Sequence, residues 1–397
     1  MKILLGHNYY QNSGGEDLVY RDEVSLLRSN GFEVLEFTRN NDYFESLSIP
    51  GKIKALFNLG WSNKSYSDIK KSIRAFKPDI AHFHNIFYHL TPSVYSACKE
   101  EGVPVVQTLH NFRIFCSNGL MLRRGLNCEI CLELPSFKAV FHRCYRSSAF
   151  LTYLIYQMLI KHNKKKTWHE QISTFIALSE FSREKFVRFG IKEEKIMVRP
   201  NFVFPTDVDV PLPKKKGGYA LYMGRMSGEK GVEKLIEAWR EIKGIPLYLA
   251  GNGPEEEFYF RLVKEKNISN VKFLGYIDGS EKINLLREAR FIVVPSLCYE
   301  NSPRIISEAF SMAVPVIANK TGSLIEIISD GKTGLLFDIR INGDLKEKAE
   351  ALWDNDTLIN KMSQNAFNEY RIKYSPQASF NMLCDIYKRT LEARHNA

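Results

Sequence analysis

The sequence contains no apolar run long enough to cross a bilayer. Its 397 residues include no stretch of the roughly 18 to 20 apolar residues that a membrane-spanning helix needs. The opening MKILLGHNYYQNSGG continues into polar and charged sequence, where a secretory signal would keep an apolar core. The seven cysteines are an odd number at uneven spacing, which is a poor disulfide framework. We therefore expect a cytoplasmic protein whose thiols are reduced.

Several common motifs of catalysis and binding are also missing. No GxSxG elbow occurs, and no zinc-finger, RNP or helix-turn-helix pattern accompanies the positive charge, so nucleic-acid binding is a weak alternative. GKT at 331–333 lacks the upstream glycine of a P-loop, because Glu326 stands in its place. GNG at 251–253 is too short for a dinucleotide fingerprint. DVD at 207–209 has the Asp-x-Asp pattern of a metal motif, but it falls in a predicted linker instead of at a strand end.

What the sequence does contain is a repeated alternation of apolar strands and amphipathic helices. This pattern is typical of α/β proteins with doubly wound parallel sheets. The composition, 44% hydrophobic and 25% charged residues, is that of a folded protein. A chain of this length is long for a single hydrophobic core, which favours more than one domain. Three prolines and a lysine run interrupt the periodicity at residues 201–218, as a linker would. We predict two Rossmann-like domains, 1–200 and 219–374, facing a cleft, and a last helical stretch at 375–397 that can cross back to the first domain.

Positive charge is concentrated in the first half. The formal net charge is +10, and residues 1–200 carry 28 Lys and Arg against 19 Asp and Glu, a net charge of about +9. The densest part, residues 136–168, interleaves aromatic and aliphatic residues with Lys and Arg. Such a mixture suits an anionic membrane surface or a phosphorylated acceptor, because the rings sit at the interface while the cations face phosphate. A buried helix with a solvated basic end is the alternative.

Two glutamates eight residues apart follow a buried strand of the second domain. In CYENSPRIISEAFSMA, Ser302 is predicted as the N-cap and Pro303 as the first helical residue. Glu300 then stands in the loop above the sheet, and Glu308 lies one to two turns into the helix. Ligands of open α/β sheets bind at the carboxyl ends of the strands, and the amides at a helix start suit a phosphate. We interpret one carboxylate as a sugar ligand and one as a ribose ligand, although acids at this spacing also arise by coincidence.

Two cations accompany these acids. YMGRMSGEKG places Arg225 at the end of the domain's first strand and Lys230 just before its first helix, with glycines such as Gly224 keeping the turn open. Cations held there would counter the charge of a leaving diphosphate. A cation in a loop is often simply solvated, but the same domain and the same sheet edge also carry Glu300 and Glu308, which favours a functional interpretation.

The runs GRMSGEKG and ENSPRIISEA resemble the retaining glycosyltransferases of family 4, which have the GT-B fold and bind a nucleotide sugar in the second domain. The opening HNYYQNSGGED also resembles bacterial members that build surface polysaccharides, so the resemblance covers nearly the whole chain. It implies that Arg225 and Lys230 bind the diphosphate, that Glu300 contacts the donor sugar and that Glu308 contacts the ribose. Asn301 departs from the glycine of many members. The other residues that we assign to donor binding are Asn301, Ser302, Gly224 and Gly251.

The first domain would then bind the acceptor and supply further contacts. Gly14 and Gly15 lie between the first strand and the first helix, where bare backbone can approach the donor phosphates. A glycine pair is also common in simple turns. His110 ends the strand PVVQTLHN, and a histidine so placed contacts the donor sugar in the family that this chain resembles. A hydrogen-bonded structural histidine is the alternative.

Two further sets of residues could bind metal. Four cysteines lie in an insertion at about 112–168, in the pattern C-x11-C-x2-C-x12-C, and four thiolates could hold a structural zinc; reduced free thiols are the alternative. These cysteines are Cys116, Cys128, Cys131 and Cys144. A site formed by His82, His84 and His89 is conceivable, although alternate residues on a strand more often belong to the core.

We therefore expect a metal-independent, retaining hexosyltransferase of bacterial surface polysaccharide synthesis, peripheral on the inner face of the cell membrane. Its donor would be a UDP- or GDP-linked sugar, its acceptor a hydroxyl of a lipid-linked saccharide, and no catalytic cofactor is expected. The donor's own phosphate oxygen would take the acceptor proton. A nucleotide-sugar epimerase on the same fold is one alternative, and it would convert the donor without an acceptor. A non-catalytic sugar-nucleotide-binding subunit is another.

Overall fold

The structure is a computed structural model that describes residues 1–11, 14–42, 48, 51, 56–205 and 218–395. The chain divides into two compact units. Unit 1 consists of Met1–Met121, Cys128–Pro200 and Ser379–Ala397; unit 2 consists of Leu122–Asn127 and Asn201–Ala378. Residues 122–127 of the cysteine-containing insertion thus group with unit 2. Most of the predicted linker, including the DVD run at 207–209, lies outside the described residues.

The strands, in chain order, are β1 (Lys2–Tyr9), β2 (Glu33–Asn40), β3 (Ile80–Phe83), β4 (Val105–Leu109), β5 (Leu122–Arg123), β6 (Leu126–Asn127), β7 (Thr174–Ala177), β8 (Ile196–Val198), β9 (Ala220–Met223), β10 (Leu247–Ala250), β11 (Val271–Gly275), β12 (Phe291–Val294), β13 (Val316–Asn319) and β14 (Gly334–Phe337). The described helices of the first half are α1 (Gly15–Ser29), α2 (Asn63–Phe76), α3 (Ser93–Glu100), α4 (Lys138–Phe141), α5 (Ala149–Lys164), α6 (Thr167–Glu170) and α7 (Glu180–Arg188). Those of the second half are α8 (Val232–Trp239), α9 (Glu256–Glu265), α10 (Gly279–Glu288), α11 (Arg304–Ser311), α12 (Leu324–Ile327), α13 (Asp344–Trp353), α14 (Asp356–Glu369) and α15 (Pro376–His395). Short 3₁₀ turns occupy Glu193–Lys195 and Gly228–Lys230, and a π-helical turn occupies Tyr370–Tyr374.

Unit 1 is built on a six-stranded parallel sheet with the order β2-β1-β3-β4-β7-β8. Strand β1 pairs with β2 on one side and with β3 on the other. The strand order therefore reverses at β1, because β2 is added on one side of it and the later strands on the other side. Its residues Ile3, Leu4 and Leu5 are all fully buried, as expected for a strand covered by helices on both faces. Helix α1, which follows, ends before Gly31, whose φ of +80° is the left-handed conformation that glycine adopts readily.

Unit 2 repeats this plan with the strand order β11-β10-β9-β12-β13-β14, again all parallel. Here the reversal lies beside β9, which pairs with β10 on one side and β12 on the other. In open α/β sheets, ligands bind at the carboxyl ends of the strands on either side of such a reversal. The predicted class, two Rossmann-like parallel-sheet domains, is confirmed. The hairpin β5-β6 is antiparallel and stands apart from both sheets.

The C-terminal helix α15 contributes to the core of unit 1. Its residues Leu383, Ile386 and Tyr387 are buried in one cluster with Ile3 and Leu5 of β1. The apolar side of this helix is therefore buried partly against a strand that lies more than 370 positions earlier in the chain. No helix among the described residues is long and apolar enough to span a membrane.

Candidate active site

The strand reversal of unit 2 brings together two loops that carry the predicted donor-binding residues. One loop follows β9 and contains the turn Gly228–Lys230, and the other follows β12. They are joined by a backbone hydrogen bond in which the amide of Leu297 donates to the carbonyl of Glu229, at 2.9 Å. Residues that lie about 70 positions apart in the sequence thus become neighbours at one sheet edge.

Lys230 and Glu300 meet across these two loops. Nζ of Lys230 lies 2.6 Å from Oε1 of Glu300, and the hydroxyl of Ser296 donates to the same oxygen at 2.7 Å. The side chains of Lys230 and Glu300 are 29% and 12% exposed. Burial opposes both charges, but the ion pair outweighs it, raising the pKa of the Lys230 ammonium and lowering that of the Glu300 carboxyl. Both groups are therefore charged at neutral pH.

Arg225 provides a second positive charge at the same edge. It follows β9 by two residues and its side chain is exposed. Among the described residues its guanidinium has no hydrogen-bond or ion-pair partner, whereas its backbone carbonyl accepts from the hydroxyl of Tyr222 at 2.8 Å. The backbone at this position is thus fixed while the charge remains available to an anion.

Two glycines let the loops of unit 2 approach closely. Gly251 has φ +132°, and a Cβ on it would lie 1.9 Å from the carbonyl oxygen of Gly224. Gly231, with φ +72°, would place a Cβ 2.1 Å from the carbonyl oxygen of Pro295. Because any side chain would collide with backbone at both positions, glycine is needed for the strand-end loops to pack as they do.

Helix α11 begins one residue later than predicted. It starts at Arg304, with Pro303 at the N-cap position, so the assignment of Ser302 as the N-cap and of Pro303 as the first helical residue is wrong. The Ser302 hydroxyl instead accepts from the backbone amide of Asn201, at 3.2 Å, and the Ser302 carbonyl accepts from Nδ2 of Asn201, at 2.7 Å. Ser302 and Asn301 are both buried. The side chain of the N-cap residue Pro303 makes no capping hydrogen bond.

Glu308 is the fifth residue of α11 and has partners of its own. Its Oε1 lies 2.8 Å from Nζ of Lys282 in α10 and 3.5 Å from Nε of Arg304. The two predicted acids are therefore set in separate ion pairs, Glu300 with Lys230 and Glu308 with Lys282. Lys282 was not singled out in the sequence, because a lysine in an amphipathic helix carries no distinguishing pattern.

In unit 1, the Gly14–Gly15 turn is held by a buried acid and a buried histidine. The amide of Gly14 donates to Oδ2 of Asp17 at 3.0 Å, and Oδ1 of Asp17 lies 2.7 Å from Nε2 of His7. His7 and Asp17 are almost completely buried, so the turn is anchored to β1 from inside the unit. Sequence reasoning missed both residues, although His7 directly follows the glycine of the KILLG run.

A pocket of unit 1 opens at the strand ends beside this turn, and His110 lines it. Glu16 is also in its wall, where its carboxylate accepts from Nδ2 of Asn111 and from the hydroxyl of Tyr10, both at 2.9 Å. Burial raises the pKa of the Glu16 carboxyl, although these two hydrogen bonds oppose the shift. Glu16 was missed as well; the signal for it is the acidic pair directly after the two glycines.

The sequence predicted that the four cysteines of the insertion could hold a structural zinc. Within the part of the chain that the structure describes, no three of their sulfurs converge to within 4.8 Å of one another, so the predicted convergence is not found. Cys116 donates to Oδ1 of Asn118 at 3.1 Å. Burial, with the nearby Cys116 and Cys128, raises the pKa of Cys131 to about 11. Cys116, Cys128 and Cys131 are free thiols.

Among the described residues, one group of potential metal ligands does converge, Glu23 with His82 and His84. All three are buried, and His89 is not part of the group. The conceivable three-histidine site is therefore not formed. Oε2 of Glu23 already accepts from Nη1 of Arg199 at 2.6 Å, so a buried cation compensates this carboxylate.

The basic aromatic segment, residues 136–168, is partly buried and partly exposed. Helix α5 buries one face, which includes Ile155 and Leu159, and exposes Phe150 and Tyr153 on the other. In the preceding helix α4, Phe141 is 76% exposed. The segment also carries exposed cations at Lys138, Arg143, Arg146, Lys161, Lys164, Lys165 and Lys166.

Comparison with known proteins identifies the family. The family model described as Glycosyltransferase Family 4 matches residues 14–206, and the one described as Glycosyl transferases group 1 matches residues 204–369. The chain belongs to glycosyltransferase family 4. The resemblance noted in the sequence is thus confirmed. The two matched ranges meet at residues 204–206, which lie within the predicted linker.

Relatives and solved structures agree with this membership. An uncharacterized glycosyltransferase of Methanocaldococcus jannaschii is 25% identical over 381 residues, which is 94% of each chain. O-antigen chain mannosyltransferase B of Escherichia coli is 28% identical over 195 residues, 44% of this chain and 50% of that relative. Anabaena HepE, solved in complex with UDP, is similar with a TM-score of 0.66 and 17% identity over 98% of this chain and all of HepE. This family 4 protein therefore has the GT-B fold.

Proposed function

We propose that this family 4 glycosyltransferase transfers a hexose from a nucleotide diphosphate sugar to a hydroxyl of a lipid-linked saccharide, with retention of the anomeric configuration. The observation that carries the proposal is the Lys230–Glu300 ion pair at the strand reversal of unit 2, together with the guanidinium of Arg225 at the same edge, which has no partner among the described residues. Two cations and one acid at such an edge suit a diphosphate bonded to a sugar.

In this proposal the diphosphate binds Arg225 and Lys230, and a sugar hydroxyl donates to the Glu300 carboxylate. Ser296 and Lys230 hold that carboxylate ionised, so it can accept a hydrogen bond from the sugar. Glu308 accepts from the ribose, in addition to its pair with Lys282. The cations stabilise the negative charge that develops on the leaving diphosphate and take the place of a metal ion.

The proposed transfer step needs no nucleophile from the protein. The bond between the anomeric carbon and the diphosphate oxygen breaks, and the acceptor oxygen bonds to that carbon on the same face. The acceptor's proton passes to the departing phosphate oxygen. The contribution of Arg225 and Lys230 is to stabilise charge in the transition state more than in the ground state.

The class of substrates is supported by the relatives. Two of them are described as O-antigen chain mannosyltransferases of Escherichia coli, and HepE of Anabaena is solved with UDP and with UDP-glucose. Because this chain is similar to these proteins, we propose a UDP- or GDP-linked hexose as donor and a growing surface polysaccharide as acceptor. In unit 1, we propose that the amides of the Gly14–Gly15 turn bind phosphate and that His110 bonds a sugar hydroxyl.

We also propose that the basic aromatic segment, residues 136–168, binds the anionic inner face of the cell membrane. Phe141 and Phe150 would enter the headgroup region while cations such as Lys138 and Arg143 face lipid phosphate. Sedimentation with liposomes of phosphatidylglycerol at low salt tests this. Phe141→Ser with Lys138→Glu should lower the bound fraction, and equal binding by that double variant and the unaltered protein would contradict the assignment.

The proposed activity is tested first by ligand binding. We expect UDP or GDP, and one of their sugars, to raise the melting temperature, because a ligand at 100 times its Kd stabilises by about 2.7 kcal/mol. The selected donor is then incubated with and without a saccharide-lipid extract. Transfer should need the extract, and it should be lost in a folded Arg225→Ala, Lys230→Ala variant but not in Lys234→Ala, whose lysine pairs with Glu237 on the exposed face of α8. Conversion of the donor to an epimer without acceptor would contradict the proposal.

A further inference from the structure

Arg113, in the wall of the unit 1 pocket, has hydrogen-bond donors without partners. It lies in the loop that follows β4, and it lines the pocket. Nε and Nη1 of its guanidinium are buried, and neither makes a hydrogen bond within the part of the chain that the structure describes. Burying a charged donor without a partner costs free energy. A ligand from outside the chain would supply the missing hydrogen bonds.

The arginine is held in place although these donors are unused. Its backbone amide donates to Oδ1 of Asn111 at 3.0 Å. Its Cζ lies 4.5 Å from the ring centroid of Phe87 and 5.7 Å from that of Tyr145. Aromatic rings attract a cation, and a guanidinium keeps its charge inside a protein. A positive charge is therefore fixed at one place in the wall, with hydrogen bonds still to be made.

A second residue of the wall also has an unused donor. Trp168 is 2% exposed and lines the pocket. Its Nε1 is buried and has no hydrogen-bond partner among the described residues. An indole N–H and a guanidinium can only donate. Two separate residues thus offer donors, and a ligand that completes them must offer acceptors.

The amide side chains of the wall are already satisfied within unit 1. Each uses both its oxygen and its nitrogen in hydrogen bonds; they are Asn85, Gln107 and Asn111. Glu16 also lies in this wall, and its two oxygens accept from Nδ2 of Asn111 and from the hydroxyl of Tyr10. Of these side chains and the two above, only Arg113 and Trp168 have unused groups, and all of these groups are donors.

The chemistry of the wall favours an oxyanion. Leu59, Pro92 and Met158 contribute apolar surface to it, and apolar surroundings strengthen the attraction between a cation and an anion. A phosphate or a carboxylate can accept from two N–H groups of one guanidinium at once. An uncharged sugar hydroxyl could accept one of these hydrogen bonds, but it would leave the positive charge uncompensated.

We propose that the pocket of unit 1 binds an oxyanion of the acceptor and that Arg113 is the residue that holds it. The donor's diphosphate already has cations of its own in the proposed function, Arg225 and Lys230 of unit 2, so we assign this guanidinium to the acceptor. That assignment rests on the proposed function, whereas the oxyanion site itself does not. A phosphate of the lipid carrier and a carboxylate of an acidic sugar share this chemistry.

The site can be tested in the unaltered protein by NMR of ¹⁵N-arginine, which resolves the Nε–H groups. The Arg113 signal is assigned by its loss in Arg113→Gln or, if that variant does not fold, in Arg113→Lys. The probes are methyl phosphate, methyl glucuronide and, as the uncharged control, methyl glucoside. We expect one or both of the anions to shift the Arg113 signal and the glucoside to leave it unchanged. No shift with either anion, or an equal shift with the glucoside, would overturn the proposal.

The two anions also distinguish the sources of the oxyanion. A shift with methyl phosphate alone supports a phosphate of the carrier, and a shift with methyl glucuronide alone supports an acidic sugar. Arg74 is the reference in the same spectra, because its Nε donates to Oε2 of Glu101 at 3.0 Å and its side chain is 67% exposed. Its signal should not move. Equal shifts of both arginines would show general binding to surface cations and would count against the site.

Calorimetry with the probe that binds gives the size of the effect. Arg113→Gln should weaken binding about tenfold to 100-fold, as for the loss of hydrogen bonds to a charged group. Arg74→Gln is the matched control and should bind the probe as tightly as the unaltered protein. If folded Arg113→Gln also binds it equally well, the role of Arg113 is refuted.

Nucleotide binding and turnover distinguish failure of this inference from failure of the proposed function. Arg113→Gln should bind UDP or GDP unchanged, and it should raise the KM for the saccharide-lipid extract without changing the KM for the donor. A loss of nucleotide affinity as large as the loss for the probe would place the oxyanion on the donor and overturn the assignment to the acceptor. An equal KM for the extract in both proteins would overturn it as well. If an anion shifts the Arg113 signal but no nucleotide binds, the proposed function fails and the oxyanion site stands.

Discussion

Replacing Lys230 with methionine removes the ammonium that pairs with Glu300 while keeping the length and the apolar stem of the side chain. In the structure this ammonium lies 2.6 Å from Oε1 of Glu300, which also accepts a hydrogen bond from the hydroxyl of Ser296. The change should have two separable effects, one on folding stability and one on nucleotide affinity.

The stability effect follows from the burial of the two partners. A hydrogen bond to a charged group contributes about 1.5 to 3 kcal/mol. Lys230 is 29% exposed and Glu300 is 12% exposed, so water replaces part of the interaction and we expect the lower end, about 1.5 kcal/mol. Glu300→Gln in the Lys230→Met background should restore part of this loss, because it removes the carboxylate that was left without its cation.

The affinity effect tests the assignment of the diphosphate. Loss of one charged contact to phosphate should weaken UDP or GDP binding about tenfold to 100-fold. Glu300→Gln alone should leave nucleotide affinity equal or higher, because it removes a negative charge beside the phosphates and frees Lys230, yet it should lower transfer.

The measurements are urea denaturation and isothermal calorimetry with UDP and GDP on the same preparations. Lys234→Met is the matched control, since Lys234 is in the same unit, is 54% exposed and pairs with Glu237. It should change neither quantity. If Lys230→Met is folded and binds both nucleotides as tightly as the unaltered protein, the reasoning that places a diphosphate on this lysine is refuted.

Three further outcomes are expected. Burial lowers the pKa of His84 and of His162 to about 4, against about 6.5 when unfolded, so the unfolded chain binds more protons in this window. The free energy of unfolding should fall as pH drops from 6.5 to 4, by at most about 1.4 kcal/mol per pH unit for each histidine; equal urea midpoints at pH 7 and 5 would contradict this. Gly251→Ala should cost about 3 kcal/mol or more, because its Cβ would meet the Gly224 carbonyl at 1.9 Å with φ at +132°. Gly218→Ala, whose Cβ meets nothing within 4 Å, should change the melting temperature little. Turnover should survive dialysis against EDTA, since cationic side chains are proposed to do the work of a metal, and a loss restored by magnesium would refute that part.

The boundaries of α11 illustrate the limit of local signals. Ser-Pro before an apolar run predicts an N-cap followed by a first helical residue, yet the helix begins at Arg304. The hydroxyl of Ser302 is taken by the amide of Asn201, 101 positions away. A capping rule describes what a serine can do locally, and a tertiary hydrogen bond to the same oxygen overrides it.

The cysteine pattern and the buried histidines illustrate the same limit in chemistry. Spacing alone allowed a zinc site at the four cysteines, but their sulfurs do not converge among the described residues. Conversely, Glu23 and His110 lie 87 positions apart and gave no joint signal, although His84 links them. Hydrogen-bond networks of this kind depend on which strands are neighbours in the sheet. The order of the strands cannot be derived from the spacing of residues in the sequence.

The sequence by itself determined the α/β class, the family and the edge at which the chemistry should be sought, because strand and helix periods, glycine turns and the motifs around Arg225, Lys230 and Glu300 are local patterns. Only the tertiary structure decided that Lys230 bonds Glu300, that Glu308 bonds Lys282 and that Ser302 is not a cap. The physical reason is that these are contacts between distant segments, and their distances are set by sheet order and helix packing. A local pattern limits which residues can interact, and the packing selects the pairs that do.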